Sequence, residues 1–323
     1  MLSDHKPRIT VFGATSKQGR SVTHSLLASQ RYQVRALTRN SHSLVAQELA
    51  QQGAELKEVS PTADIQQLTE ALSGSYGVFI MTPGFAPEAS GAETPETALG
   101  YRMADAAINA GVKHIVFSSL ENIERISAGQ LWAPHFTDKG KIEDYIRTLP
   151  VSSSFIQLAF FYTNIIEYYQ PYFDGDELVF PLYLPEDFRA PFVDPLTATG
   201  PAVLEILDNR EQYSGQTLPI IGEFLSPREI VATFCRVTGK KAVYRSAFTR
   251  DELLYHFPAF AGRDGVVDEI NGMTEYAVRY GYYTKERDLQ WSRKINPNTL
   301  SWEQFLRQTG WQGEGHSFSQ RED

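Results

Sequence analysis

The segment Ile9-Thr-Val-Phe-Gly-Ala-Thr-Ser-Lys-Gln-Gly-Arg-Ser-Val22 constrains this chain most. A short apolar run stops at Gly13, and a helical pattern takes over within a few residues. Gly13 permits the tight turn after the strand, and Gly19 lets the next helix lie close to that strand. The spacing is G-x-x-G-x-x-G with Ser16 in the middle-glycine place. Serine is small and can donate to a phosphate oxygen, so the backbone can still approach a ligand. The amides of such a loop, at a helix N-terminus, suit a diphosphate. A glycine pattern alone is weak, but this one has the strand-turn-helix context it needs. Gly13, Ala14, Thr15, Ser16, Lys17, Gln18 and Gly19 are therefore expected to hold a dinucleotide. The competing reading is a tight turn with no ligand.

The rest of the first 160 residues fits that frame. Apolar runs at Gln33–Thr38, Ala54–Val59, Gly77–Met81, His114–Ser118 and Ser154–Leu158 alternate with helical patterns. Those patterns lie at Leu44–Gln52, Ile65–Leu72, Glu96–Ala110 and Lys141–Leu149. Strands separated by helices of this length make right-handed βαβ units and a parallel sheet. The runs are apolar throughout, as in strands covered on both faces. After residue 160 the rhythm breaks. A segment rich in Tyr, Phe and Pro at 168–191, with a short hairpin near Glu177–Phe180, precedes a helix at Leu196–Leu207 and a strand at Thr217–Ile221. Helices are expected at Pro227–Thr238, Thr249–Phe257, Asp264–Tyr280 and Leu300–Arg307. The expected fold is α/β: a Rossmann-type doubly wound parallel sheet with a smaller α/β C-terminal lobe. Residues 1–160 form the dinucleotide domain, completed by segments at about 190–225. Residues 161–323 form a smaller substrate or partner lobe interleaved with it.

Composition narrows the function. The net charge is −9 and no basic run occurs, which disfavours direct nucleic-acid binding. Cys235 is the one cysteine, so no internal disulfide is possible and a reducing compartment fits. No stretch of about 18 apolar residues occurs, and the N-terminus lacks an apolar signal core, so no membrane association is expected. A cytoplasmic protein is expected, with nuclear entry compatible. The seven His show no metal-ligand spacing, so no metal is expected.

The second strand ends Thr38-Arg39-Asn40, where a residue meets the adenosine ribose. An acidic residue there favours NAD(H), whereas Arg can hold a 2′-phosphate. Arg39 therefore points to NADP(H) over NAD(H).

Several segments together resemble the NmrA-like family, atypical short-chain dehydrogenase/reductases, and especially its NADPH-sensor branch. They are Val11–Gly19, Val34–Asn40, Val78–Thr82, His114–Asn122, His135–Gly140 and Leu158–Asn164, with weaker likeness to Phe305. The resemblance implies that the loop holds the diphosphate and Arg39 the 2′-phosphate. It also places Thr82 beside the cofactor, Lys139 toward the nicotinamide, and Ala159, Phe160, Phe161 and Tyr162 along the nicotinamide pocket. The sequence departs from the pattern at Ser16, Ser43, Ser60 and Ala98.

Catalysis is less legible. Short-chain reductases use Tyr-x-x-x-Lys, one helical turn apart, so that Lys lowers the Tyr pKa. No Tyr here has Lys four residues later. The nearest substitute is His135-Phe-Thr-Asp-Lys139. His135 could protonate a carbonyl oxygen, and Lys139 could hold the nicotinamide ribose. Ser119 stands where reductases place a hydroxyl on the substrate carbonyl, and Tyr162 is a further donor. Structural readings compete for each: His135 as a helix cap, Ser119 as a strand-end cap, Tyr162 as a pocket wall. The aromatic group Phe160, Phe161, Tyr162, Tyr168, Tyr169, Tyr172 and Phe173 is expected to divide between core and pocket wall. The missing Tyr-x-x-x-Lys and the resemblance favour a redox sensor or regulator acting through a protein partner, with a homodimer compatible. The alternative is an NADPH-dependent reductase of a hydrophobic carbonyl, enone or imine.

Overall fold

The computed structural model describes residues 6–60, 62–83, 94–284 and 289–315. Its first half runs β1 (Arg8–Val11), α1 (Lys17–Ser29), β2 (Gln33–Thr38), α2 (Leu44–Gln51), β3 (Glu55–Glu58), α3 (Ile65–Leu72) and β4 (Gly77–Ile80). It continues through α4 (Pro95–Asn109), β5 (His114–Ser119), α5 (Ile123–Ile126), α6 (Pro134–Thr148) and β6 (Ser152–Leu158). Then come β7 (Phe160–Phe161), α7 (Tyr162–Glu167), β8 (Tyr172–Asp174), β9 (Glu177–Leu182), β10 (Ala190–Val193), α8 (Pro195–Asp208) and α9 (Arg210–Tyr213). The chain ends with β11 (Thr217–Ile220), β12 (Glu223–Leu225), α10 (Pro227–Thr238), β13 (Ala242–Ser246), α11 (Arg250–His256), α12 (Asp264–Tyr280), α13 (Leu289–Ile295) and α14 (Trp302–Thr309).

Seven strands form one parallel sheet in the order β3-β2-β1-β4-β5-β6-β11. This is the doubly wound order, and the strand sequence reverses direction between β1 and β4. Ligands of open α/β sheets bind at the carboxyl ends of the strands flanking that point. The strands are apolar because both faces are covered. Val78 and Ile80 of β4 pack with Leu99, Phe117 and Ile142 in one layer. Phe79, between them in sequence, joins Ile9, Val11, Val22 and Ile156 in the other. Successive side chains of a strand point to opposite faces, which produces this division.

The second layer continues into the C-terminal lobe, where Phe160, Tyr183, Phe192 and Trp302 belong to the same buried cluster. Full burial of each large apolar side chain contributes about 1.5–3 kcal/mol. The lobe carries two small sheets, β12-β10-β7 and β13-β9-β8. The expected hairpin is present as antiparallel β8–β9. The strand Ala190–Val193 was not expected; Pro191 lies within it, beside antiparallel β12. Between the lobe strands the chain returns to the large sheet through α8 and β11. Helix α8 packs on α1 at backbone distance. A Cβ on Gly200 would lie 2.0 Å from the Ser21 carbonyl oxygen, and the Gly200 amide donates to Ser21 Oγ at 2.8 Å. Among the described residues no helix is long and apolar enough to cross a membrane.

Candidate functional site

The loop between β1 and α1 is built as its residue types dictate. Gly13 has φ +59°, a conformation that disfavours a side chain. Ser16 closes the turn, its amide donating to the Gly13 carbonyl at 2.9 Å. Its hydroxyl then caps α1 by accepting from the Gly19 amide at 3.2 Å. Ala14 is buried and tied to β2 through its amide and the Leu37 carbonyl, 3.0 Å apart. Thr15 and Gln18 are half-buried. Gln18 Oε1 accepts from the Ser118 hydroxyl at 2.7 Å, which connects the loop to the end of β5. A Cβ on Gly19 would lie 2.0 Å from the Gly13 carbonyl oxygen, so only glycine fits there. Of the first-turn amides of α1, that of Gly19 is taken by the Ser16 hydroxyl, while those of Lys17 and Gln18 have no acceptor inside the helix and lie at the sheet's carboxyl edge. These features fit a diphosphate on the loop.

Lys17 begins α1 and is buried. Its ammonium pairs with the Glu167 carboxylate at the end of α7 and lies 5.7 Å from the centre of the Tyr168 ring. Arg39 is exposed just beyond β2. Asn40 beside it accepts the His42 amide on its side-chain oxygen at 2.8 Å, forming a turn. Ser43, one of the departures from the family pattern, caps α2 by accepting the Ala46 amide at 3.3 Å. Arg39 and the loop thus lie at the ends of adjacent strands, as adenosine 2′-phosphate and diphosphate sites would.

Across the switch point, Thr82 follows β4 and is buried. Its hydroxyl donates to Glu96 Oε1, the same oxygen that takes the Lys139 ammonium. Glu96 sits in the first turn of α4 and is nearly inaccessible. Asp138, next to Lys139, accepts the Thr94 hydroxyl at 2.7 Å; burial pushes its carboxyl above the usual range. Sequence reasoning missed Glu96, because it precedes Lys139 by 43 residues and belongs to no local motif.

Helix α6 begins at Pro134, two turns earlier than the periodicity implied, so both His135 and Lys139 ride on it. A Cβ on Gly140 would lie 2.8 Å from the Asn122 amide nitrogen, so glycine lets α6 press on the turn after β5. His135 and Lys139, four residues apart, share a helix face. Glu269 of α12 accepts both the His135 backbone amide at 3.0 Å and its ring Nδ1–H at 2.6 Å. Burial pushes the Glu269 carboxyl up, but the His135 hydrogen bonds and charge outweigh it and hold the group below its ordinary value. Glu269 was also missed, being 134 residues from His135.

The remaining sites face inward. Ser119 is buried and donates to the carbonyls of Leu120 at 3.2 Å and Lys139 at 3.5 Å, which spends its hydroxyl on the β5–α6 contact. Ala159 is buried at the end of β6, its amide donating to the Ile220 carbonyl at 3.1 Å. Phe160 packs on Tyr183, Phe192 and Tyr282. Phe161 is half-buried. The Tyr162 ring lies fully in the core against Phe192, Trp302 and Phe305, with burial raising its pKa far above the ordinary value. Neither a proton donor at the cleft nor a pocket wall describes that ring. The aromatic group therefore divides differently from expectation: Phe160, Tyr162 and Tyr169 are core, while Tyr168, Tyr172 and Phe173 are exposed. Two further tyrosines cover the end of β6. Tyr282 Oη donates to the Leu158 carbonyl at 2.7 Å, and Tyr283 Oη to that of Gln157 at 3.0 Å. Glu121 anchors the same segment by accepting from Tyr276 and Thr284.

A glycine-bound loop at a strand-order reversal, with an arginine after the neighbouring strand, defines an α/β protein of the Rossmann class. The model of the NmrA-like family matches residues 5–306, and the chain belongs to that family. It is 30% identical over 246 residues to an NmrA-like family domain-containing protein of Dictyostelium discoideum, covering 74% of this chain and 80% of that protein. It is 33% identical over 249 residues to the NmrA-like family domain-containing oxidoreductase hkm9 of Aspergillus hancockii, covering 73% and 74%. In fold it is similar to NmrA, a negative transcriptional regulator solved in complex with NADP: TM-score 0.74, 22% identity, 94% of this chain and 95% of that one.

Proposed function

We propose that this chain is an NADP(H)-dependent oxidoreductase that reduces a small carbonyl, enone or imine. The observation that carries this reading is the pairing of His135 with Glu269 on the helix face that also bears Lys139. A carboxylate on Nδ1–H fixes the imidazole tautomer and the ring's orientation, leaving Nε2 to meet a substrate. His135 then supplies the proton that the missing Tyr-x-x-x-Lys pair would have supplied. NADP(H), when bound, supplies the hydride. The loop Gly13–Gly19 and Arg39 would hold its phosphates, and Lys139, anchored by Glu96, would hold the nicotinamide ribose. Support comes from a loop that only glycine can complete at residue 19, from the NADP complex of the similar NmrA fold, and from the oxidoreductase name of the Aspergillus relative. NADPH consumption against a panel of carbonyls, enones and imines tests the reading.

The second reading is a redox sensor that presents a surface to a regulatory partner. The inward-facing Ser119 and Tyr162 favour it, as does the similarity in fold to NmrA, a negative transcriptional regulator. Absence of turnover on the whole panel, with protease sensitivity still changing on NADPH addition, would select it.

A further inference from the structure

Lys17 is the cation of the phosphate-binding loop, and the folded chain has already given it a partner. Its side chain is 9% exposed and that of Glu167 is 7% exposed, so the pair lies out of water. Glu167 ends α7, and the next residue, Tyr168, lies beside the same ammonium. Asp194, which caps α8, also acts electrostatically on Lys17, and Arg20 stands one turn along α1. Burial lowers the Lys17 pKa, and Glu167 and Asp194 pull it back up. The groups around Lys17 are thus two carboxylates and one guanidinium, set where a diphosphate would bring negative charge of its own.

We infer that Glu167 is an affinity-setting residue of the dinucleotide site: its carboxylate occupies Lys17 in place of the diphosphate and must yield when the dinucleotide enters. This rests on the reading of the loop as an NADP(H) site. A carboxylate and a phosphate oxygen are the same kind of acceptor for an ammonium, and both cannot hold one buried Lys without repelling each other. Entry of the dinucleotide exchanges one charge-assisted contact for another. The displaced carboxylate ends α7, which leads through Tyr168 into the β8–β9 hairpin, so occupancy of the loop is passed to the lobe. The exchange involves the phosphates and not the nicotinamide, so it responds equally to NADP+ and NADPH.

The test titrates the full chain with NADPH, NADP+ and 2′-AMP, for wild type, Glu167→Gln, Glu167→Asp, Lys17→Met and the Lys17→Met/Glu167→Gln double variant. Glu167→Gln should bind both dinucleotides on the order of tenfold more tightly. Its ligand-free melting temperature should fall, because Lys17 loses its buried partner. Glu167→Asp, which withdraws the carboxylate by one methylene, should move affinity the same way. 2′-AMP, which places no diphosphate in the loop, should be unaffected. In the Lys17→Met background the gain should vanish. A merely structural role would lower stability and affinity together. Unchanged or weaker dinucleotide binding by Glu167→Gln, or an equal gain for 2′-AMP, overturns the proposal while the cofactor reading stands. A wild type that binds neither dinucleotide overturns both.

Discussion

Lys139 and Thr82 donate to one and the same oxygen, Oε1 of Glu96. The arrangement joins the end of β4, the start of α4 and the second turn of α6 across the point where the strand order reverses. A carboxylate this buried is stable there because both partners hold it.

Removing the ammonium should therefore have two separable effects. Lys139→Met leaves the Glu96 carboxylate buried with one hydroxyl, which should cost about 3–5 kcal/mol in urea unfolding. It should also weaken NADP(H). Adding Glu96→Gln should recover most of the stability, because the amide can be satisfied without a cation, and should not recover the affinity. Recovery of both would assign Lys139 a structural role alone.

Gly19 admits no side chain. The Cβ of Gly19→Ala would overlap the Gly13 carbonyl oxygen, so α1 must retreat from β1 and distort the loop. Isothermal titration should find NADP(H) binding lost in a variant whose circular dichroism is still native. Wild-type affinity would contradict a diphosphate seated on this loop.

Arg39 should decide between the two dinucleotides. Arg39→Ala should weaken NADP(H) roughly tenfold to a hundredfold, the worth of one charge-assisted phosphate contact, and change NAD(H) little. Equal losses for both would remove Arg39 from the 2′-phosphate site.

The sequence disclosed the sheet and the loop because their signals are local. Apolar runs such as Gly77–Ile80 are buried on both faces, and Gly13, Ser16 and Gly19 each carry a backbone requirement readable from neighbours. Helix α6 was legible only from Lys141, since His135-Phe-Thr-Asp-Lys-Gly has no apolar period and ends in glycine. The partners of the site residues were not legible at all. Glu96, Glu167 and Glu269 reach Lys139, Lys17 and His135 across 43, 150 and 134 residues of chain, and only the fold brings them together. Tyr162 was misplaced for the same reason: Trp302 and Phe305, which bury it, come 140 residues later or more.

Stability should fall in mild acid through His114. It is fully buried, with Nδ1 2.8 Å from the Ser152 hydroxyl and Nε2 3.1 Å from that of Ser154. Ser154 donates to the Tyr213 carbonyl, so it accepts from Nε2–H. Burial pushes its pKa from 6.5 down to about 4, with Arg210 adding to the effect. The unfolded chain thus takes up a proton near 6.5 while the folded chain resists until about 4. The contribution is intact above 6.5 and is lost as pH falls through that window, by about 1.4 kcal/mol per unit and about 3 kcal/mol in all. Urea midpoints of wild type and His114→Asn between pH 7 and 4 should converge, because the variant lacks this loss.

The central claim, that His135 held by Glu269 is the proton donor of a reductase, is tested most directly by single-turnover oxidation of bound NADPH with a substrate found on the carbonyl panel. His135→Ala should keep NADPH affinity and lose rate by roughly 10²–10⁴-fold, with Glu269→Gln falling between it and wild type. A His135→Ala variant that oxidises NADPH as fast as wild type would contradict the account.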